Sequence, residues 1–190
     1  RRKAAPKLEE LVRRHLADLG FARAGFSIAF EDLAEPSLEG FERADFLFAP
    51  NPGEPERPLR AIASSGEISR VMLALKTSLA AQDSVPILIF DEIDANVGGE
   101  IGAKVGLKMK ELAANHQVFC ITHLPQVAAS AESQFIVAKE TDGNRTRTLL
   151  TATNPAGRIA EIARMLGGPA ETAKKHARTL NETLKDAVAQ

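Results

Sequence analysis

The chain has no tryptophan and no tyrosine, and its nine phenylalanines are its only aromatics. It therefore lacks the aromatic platform on which single-strand-binding domains stack bases. It has one cysteine, Cys120, which excludes an intrachain disulfide and reads as a small core residue inside an apolar strand. No apolar run approaches the length of a membrane span, and no charged, apolar and small-residue leader opens the chain. The expected location is cytoplasmic, with no membrane partner. A dominant charge sign is also missing. The 24 Lys and Arg against 25 Asp and Glu leave a formal net charge of −1, which excludes a domain that coats nucleic acid with a uniformly basic surface. The basic clusters Arg1-Arg2-Lys3, Arg13-Arg14 and Lys174-Lys175-His176-Ala177-Arg178 read first as solvated helix faces.

What is present suffices for one core: 190 residues, 44% hydrophobic and 26% charged. The chain opens without an initiator Met on a charged helical stretch, so residue 1 is expected to be a cut within a larger protein. Leu8, Leu11, Val12, Leu16 and Leu19 form a helical stripe stopped by Gly20, with Pro6 tolerable only near the first turn. Residues 26–30 and 44–49 are strand candidates, with Glu35-Pro36-Ser37 and Glu39-Gly40 as the turn between them. The proline-rich segment 51–58 is a loop by composition.

The stretch with the most chemistry is Pro86-Ile87-Leu88-Ile89-Phe90-Asp91-Glu92-Ile93-Asp94. An unbroken apolar run of this kind predicts a central parallel strand buried on both faces. Asp91 and Glu92 then stand at its carboxyl end, where open α/β sheets place their ligands. Apolar run followed by Asp-Glu has the shape of a Walker B element, whose Asp holds Mg²⁺ and whose Glu polarises a water. The plainer alternative is a core strand that ends in an acidic turn.

Upstream, Ser64 and Glu67 have capping-box spacing ahead of a helix through Val71 to Lys76, so the helix should start at Ser64 or Ser65 with free N–H donors. Such a start favours a phosphate, and Gly66 is expected to let one approach closely. An ordinary capped core helix explains the same residues. Downstream, residues 117–122 predict a second buried strand that delivers His123 near Asp91 and Glu92. After Asp94 come a turn and a helix from about residue 100 to 114. Gly98 to Val105 imitates a phosphate loop, but Ala103 precedes Lys104 and Val105 follows it, so no hydroxyl is offered to Mg²⁺. No Walker A loop occurs anywhere in the chain. Residues 135–139 and 146–151 flank Thr141-Asp142-Gly143-Asn144 as a hairpin, expected to form an antiparallel edge of the sheet. Residues 159–166 are amphipathic and stop at Gly167-Gly168, and a final helix is expected from Pro169 to about Val188.

The order Ser-x-Gly-Glu-x-x-Arg, helix, strand with Asp-Glu, Ile-Asp turn, strand and Thr-His resembles the C-terminal lobe of an ABC-type ATPase head of the SMC kind. More narrowly, residues 63–76, 88–99, 121–129 and 159–168 resemble the RecN family of bacterial DNA repair proteins. The resemblance runs from about Phe26 to Gly168. It implies an α/β fold, a largely parallel sheet with flanking helices and an antiparallel edge hairpin. Residues 1–20 become the stump of a returning coiled-coil arm, although a helix packed on its own domain explains the stripe equally well; residues 21–190 become the head lobe. The resemblance further implies ATP and Mg²⁺ as cofactors, with Asp91 holding the metal through water and Glu92 orienting the attacking water. His123 would hold the γ-phosphate, while Ser64, Ser65, Gly66 and Glu67 would face the nucleotide of a second head. Asp94 resembles the acid that reports across the head interface, and also suits a helix cap or turn. The implied partners are an N-terminal Walker A lobe of the same protein, a second head in a homodimer, and DNA reached through the complete, nucleoid-associated protein. The chain alone is expected to be inactive as an ATPase. Two other readings stand: a nucleotide-gated assembly module without turnover, or another SMC-like or ABC-type subunit. One residue departs from the family pattern, since Ser65 stands at the first of two usual glycines.

Overall fold

The computed structural model describes residues 1–38, 40–142, 145–168 and 171–186. Helix α1 (Ala5–Asp18) takes Pro6 into its first turn, where a missing N–H costs nothing. It ends as the sequence predicts: Gly20 adopts a φ of +94°, and the Phe21 N–H donates to Leu16 O at 3.0 Å, closing the last turn. Val12, Leu16 and Leu19 are fully buried in the main core, so the leucine stripe of α1 packs on the chain's own domain.

Strands β1 (Gly25–Ser37) and β2 (Gly40–Ala49) pair antiparallel, with Phe26 opposite Phe48 and both buried. Phe21 meets Phe48 edge-on, and Phe26 stacks on Phe46. The expected turn at residues 35–37 is corrected: β1 runs through Glu35, Pro36 and Ser37. Proline is accommodated because the pairing register breaks between Asp32 and Ser37, which is where a strand tolerates a lost donor. Gly40 opens β2 at φ +118°, and Glu39 lies outside the described residues. The proline-rich loop leads to a short strand, β3 (Arg57–Pro58), on β2 and a 3₁₀ turn at Leu59–Ala61.

The central unit is α2 (Ser65–Leu79), β4 (Ile87–Phe90), α3 (Gly99–Leu112) and β5 (Gln117–Cys120). Strands β4 and β5 are parallel, in register from Ile87 opposite Gln117 to Phe90 opposite Cys120, with α3 as the crossover. The expectation that β4 is buried on both faces is corrected. Leu88 and Phe90 are buried, whereas Ile87 and Ile89 are 53% and 70% exposed. The reason is that helices cover one face only. On the other, Ile87 and Ile89 continue into Phe119 and Ile121, 46% and 60% exposed.

Beyond β5 lie α4 (Pro125–Ser130), the antiparallel hairpin β6 (Phe135–Asp142) and β7 (Arg145–Ala152), then α5 (Pro155–Met165) and α6 (Glu171–Asp186). The hairpin forms as expected but not as an edge of the β4–β5 sheet: among the described residues it is a separate two-stranded sheet. Its turn residues Gly143 and Asn144 lie outside the described residues, as do the first two residues of the predicted final helix, Pro169 and Ala170, and its last two, Ala187 and Val188. Parallel pairing among the described residues is confined to β4 and β5. Ala129, Ile162, Ala163, Ala177 and Leu184 make a second apolar cluster between α4, α5 and α6. The buried Arg158 ties it to the chain, donating to Ala129 O at 2.9 Å, Ala128 O at 3.3 Å and Glu132 O at 3.0 Å.

The alternation along β4 predicts an asymmetric response. Leu88→Ala should cost about 2–4 kcal/mol in urea unfolding, while Ile89→Ser should change stability by less than about 1 kcal/mol. Equal losses at the two positions would show that both faces of β4 are covered in solution.

Candidate functional site

Three segments converge at the carboxyl end of β4 and β5. The first is the start of α2. Ser64 is its N-cap in extended conformation, and its Oγ accepts from the Glu67 N–H at 3.4 Å. Ser65 is exposed at the first helical position, Glu67 is half-buried, and Gly66 is buried. The close approach that Gly66 permits belongs to protein rather than to open surface. A Cβ there would lie 2.9 Å from Ala95 Cβ and 3.1 Å from Glu92 O, so the expected phosphate contact on that side is taken by the turn after β4.

That turn is the second segment. Glu92 and Asn96 take left-handed backbone conformations, φ +55° and +59°, which are uncommon for residues with a Cβ. The Ala95 N–H closes the turn on Glu92 O at 3.0 Å. Helix α2 fastens it from below. Ser69 Oγ donates to Asp91 O at 2.9 Å, and Arg70 Nη1 donates to Ile93 O at 3.3 Å and Ala95 O at 3.0 Å. Arg70 is 7% exposed and lies 4.9 Å from the centre of the Phe21 ring. Burial pulls its pKa down from the usual arginine value, and nearby Glu67 opposes that shift. Starting from so high a value, the guanidinium stays charged.

The result is an acidic pair held outward. Asp91 and Glu92 are exposed, and Asp91 Oδ1 accepts from the Glu92 N–H at 2.9 Å, while Oδ2 has no hydrogen-bond partner among the described residues. Among the described residues no group of three or more His, Cys, Asp or Glu is placed to hold a metal. A single exposed carboxylate suits Mg²⁺, which keeps several waters and takes its remaining oxygens from phosphate, and would not make a protein cage for zinc or calcium. The chemistry of Asp91 therefore fits the group expected there.

The third segment is the end of β5. The Ile121 N–H donates to Phe90 O at 3.0 Å, continuing the parallel ladder up to the acids. His123 follows with a side chain 72% exposed. Asp94, expected at a surface facing nucleotide, is instead 2% exposed and turned inward. Its Oδ2 accepts from Thr122 Oγ at 2.5 Å, His123 N at 2.9 Å and Leu124 N at 3.2 Å. His123 Nδ1 lies 3.3 Å from the same oxygen. The structure thus groups Asp91, Glu92 and His123 on one exposed edge and withdraws Gly66 and Asp94 beneath it.

Ser69, Arg70 and Thr122 were given no role by sequence reasoning. Arg70 and Thr122 had a signal, their places in Ser-x-Gly-Glu-x-x-Arg and Thr-His; Ser69 had none. Cys120 lies under the same edge. Burial foremost, then the charges of Asp94 and Asp91, push its thiol up to about 12.

Two measurements follow. Arg70→Met should cost about 2–4 kcal/mol in denaturant unfolding, because two carbonyls of the turn lose a charged donor; a loss below about 0.5 kcal/mol would mean the guanidinium does not hold the turn. Cys120, the only thiol of the chain, is half-buried and held protonated, so it should react with a disulfide reagent at about pH 8 much more slowly in the native chain than after unfolding; equal rates would contradict the raised thiol pKa.

No family model matches the chain. It is 39% identical over 199 residues to DNA repair protein RecN of Streptomyces coelicolor, covering 97% of this chain and 35% of that protein. To RecN of Xylella fastidiosa it is 40% identical over 179 residues, covering 93% and 32%. To RecN of Treponema pallidum it is 48% identical over 134 residues, covering 70% and 23%. The fold is shared with an Smc head domain with a coiled coil and joint from Pyrococcus yayanosii, at a TM-score of 0.57 and 18% identity, over 83% of this chain and 28% of that one. It is shared too with the Smc head of Pyrococcus furiosus bound to the C-terminal domain of ScpA, at a TM-score of 0.54 and 20% identity, over 83% and 37%. The chain spans about a third of the length of the first two of these RecN relatives. With an SMC-head fold and this identity over nearly all its residues, it is a homologue of a segment of the DNA repair proteins RecN.

Proposed function

We propose that this chain is the C-terminal lobe of an SMC-like ATPase head, binding and hydrolysing ATP at a head–head interface in DNA double-strand break repair and recombination. The observation that carries the reading is the placement of Asp91, Glu92 and His123, exposed together at the carboxyl end of a parallel strand pair. Beside them runs the uncovered apolar strip Ile87, Ile89, Phe119 and Ile121. A cleft of about 220 Å³ between α2 and β4, lined by Met72, Ile68 and Ile89 among others, continues that strip. An N-terminal lobe of the same protein, carrying the Walker A loop, would cover these apolar residues and bring the phosphate-binding loop to the acids. Residues 1–20 would form the base of a returning coiled-coil arm.

In this reading Asp91 holds Mg²⁺ through water with its free oxygen. The metal, when bound, supplies charge neutralisation on the phosphates. Glu92 accepts hydrogen bonds from the attacking water and orients it, its position fixed by the left-handed backbone of the turn. His123 reaches the γ-phosphate from the β5 side. The start of α2, Ser64 to Glu67, meets the nucleotide of a second head with its N–H donors and the positive end of its dipole. Asp94 supports this edge from below. Without the Walker A loop the chain lacks the lysine and the hydroxyl that cradle the phosphates and Mg²⁺, so turnover requires the other lobe. DNA is engaged by the complete protein, in the cytoplasm at the nucleoid; no helix among the described residues is long and apolar enough to cross a membrane.

The test is Glu92→Gln in a complex of this chain with its N-terminal lobe. Turnover should fall at least about 100-fold, with ATP binding kept and the ATP-bound dimer longer-lived. Unchanged turnover would remove Glu92 from the chemistry. ATP binding without turnover in either version would make the head a nucleotide-gated assembly module, and failure to bind ATP at all would overturn the reading.

A further inference from the structure

Asp94 is a charged residue with almost no exposure in the middle of the candidate site, and holding Mg²⁺ or water gives it nothing to do. Its surroundings state what it does. Two of the groups at Oδ2, the backbone N–H of His123 and of Leu124, can only donate. Thr122 Oγ is the third donor: it accepts from the Leu124 N–H at 3.0 Å, and of the two acceptors its hydroxyl can reach, Asp94 Oδ2 at 2.5 Å is far nearer than Leu124 O at 3.5 Å. An oxygen surrounded by donors carries no proton. The fourth neighbour, His123 Nδ1, lies 3.3 Å away as a charge contact rather than an aligned hydrogen bond, and beside so negative an oxygen the favourable state of that ring nitrogen is N–H. The imidazole is otherwise 72% exposed, so Nε2 is the nitrogen left for a ligand.

We propose that Asp94 is a positioning residue for His123: its buried carboxylate, bonded to the His123 backbone N–H and close to Nδ1, keeps the proton on Nδ1 and so leaves Nε2 for the edge shared with Asp91 and Glu92. A free imidazole prefers the opposite tautomer, with its proton on Nε2, so the arrangement sets a state the side chain would not adopt alone. The meaning of this for turnover rests on the ATPase reading above; the protonation of the ring does not. Asp94 also couples the two strand ends, because it leaves β4 three residues after Asp91 and holds the residues that leave β5.

The test labels histidine with ¹⁵N in the complete protein and reads the ring nitrogens of His123, identified by the signals lost in His123→Gln. A protonated Nδ1 is expected above the ordinary imidazole range, at about pH 8.5. A bare Nδ1 in the native protein overturns the proposal before any variant is made. Asp94→Asn keeps an oxygen for the backbone donors but removes the charge; the ring should then shift toward the Nε2–H tautomer, and turnover should fall about 10- to 100-fold. The variant Asp94→Asn/His123→Gln should turn over no more slowly than His123→Gln alone, since Asp94 acts through the ring. Losses that multiply would make Asp94 a scaffold residue only and overturn the proposal. Should Asp94→Asn fail to fold, Thr122→Val takes its place: it removes a donor but leaves the carboxylate, and Nδ1 must stay protonated for the proposal to stand. A protonated Nδ1 in a protein without turnover would overturn the ATPase reading and leave the positioning role in place.

Discussion

The guanidinium of Arg70, buried under the turn that follows β4, is the constraint on which the site depends. A charge taken out of water is costly unless its hydrogen bonds are replaced. Here the replacements are two backbone carbonyls of one tight turn, Ile93 O and Ala95 O, with the face of Phe21 behind them. Because Phe21 belongs to the cluster that buries α1, the charge ties the first helix of the chain to the acidic edge through one side chain. The turn in turn holds two residues in left-handed conformations, each costing of order 1–3 kcal/mol, which persist only where the surroundings over-determine them. Arg70 and Ser69 below, and the Asp94 contacts at its side, are those surroundings.

The edge is thus made of two layers with different chemistry. Groups that must meet solvent or a ligand, Asp91, Glu92 and His123, are exposed and lightly bonded. Groups beneath them, Gly66, Arg70 and Asp94, are buried, and the bonds of Asp94 and of Arg70 Nη1 lie inside the chain while Arg70 Nε has no partner among the described residues. A polar residue that is buried and satisfied stiffens its neighbours. Precision at the exposed layer comes from that lower one.

How far the sequence could be read follows from how local each feature is. The cap at Ser64, the stop at Gly20 and the acids after a strand are written within a few residues, and all stand where spacing puts them. The resemblance to SMC-type heads supplied the order of the motifs, and the fold bears it out. What could not be read depends on contacts distant in the chain. An apolar run records a demand for burial but not the identity of its cover, which is why Ile87 and Ile89 read as core and lie open. Gly66 read as room for a phosphate, whereas the residue that fills the room is Ala95, 29 positions away in sequence and adjacent only after β4 has packed on α2. Asp94 read either as an acid reporting across a head interface or as a turn residue, and its partners just past β5 could not be named because they come from a segment about 30 positions on. The hairpin β6–β7 was legible as a hairpin and not as a separate sheet, since pairing within it is local and pairing outside it is not.

The main cluster has a consequence for the order in which this chain can acquire structure during synthesis. Val12, Leu16 and Leu19 share one core with Val105, Met109, Leu112 and Val127. As the polypeptide leaves the ribosome from its amino end, α1 emerges before the residues it packs against, and its leucine stripe is covered in stages. Strand β1 follows within about ten residues and α2 after about fifty, while the α3 residues of the same core arrive only after about ninety, several seconds at ordinary elongation rates. The charged opposite face of α1, with ion pairs from Glu9 to Arg13 and from Glu10 to Arg14, is what keeps the helix soluble over that interval.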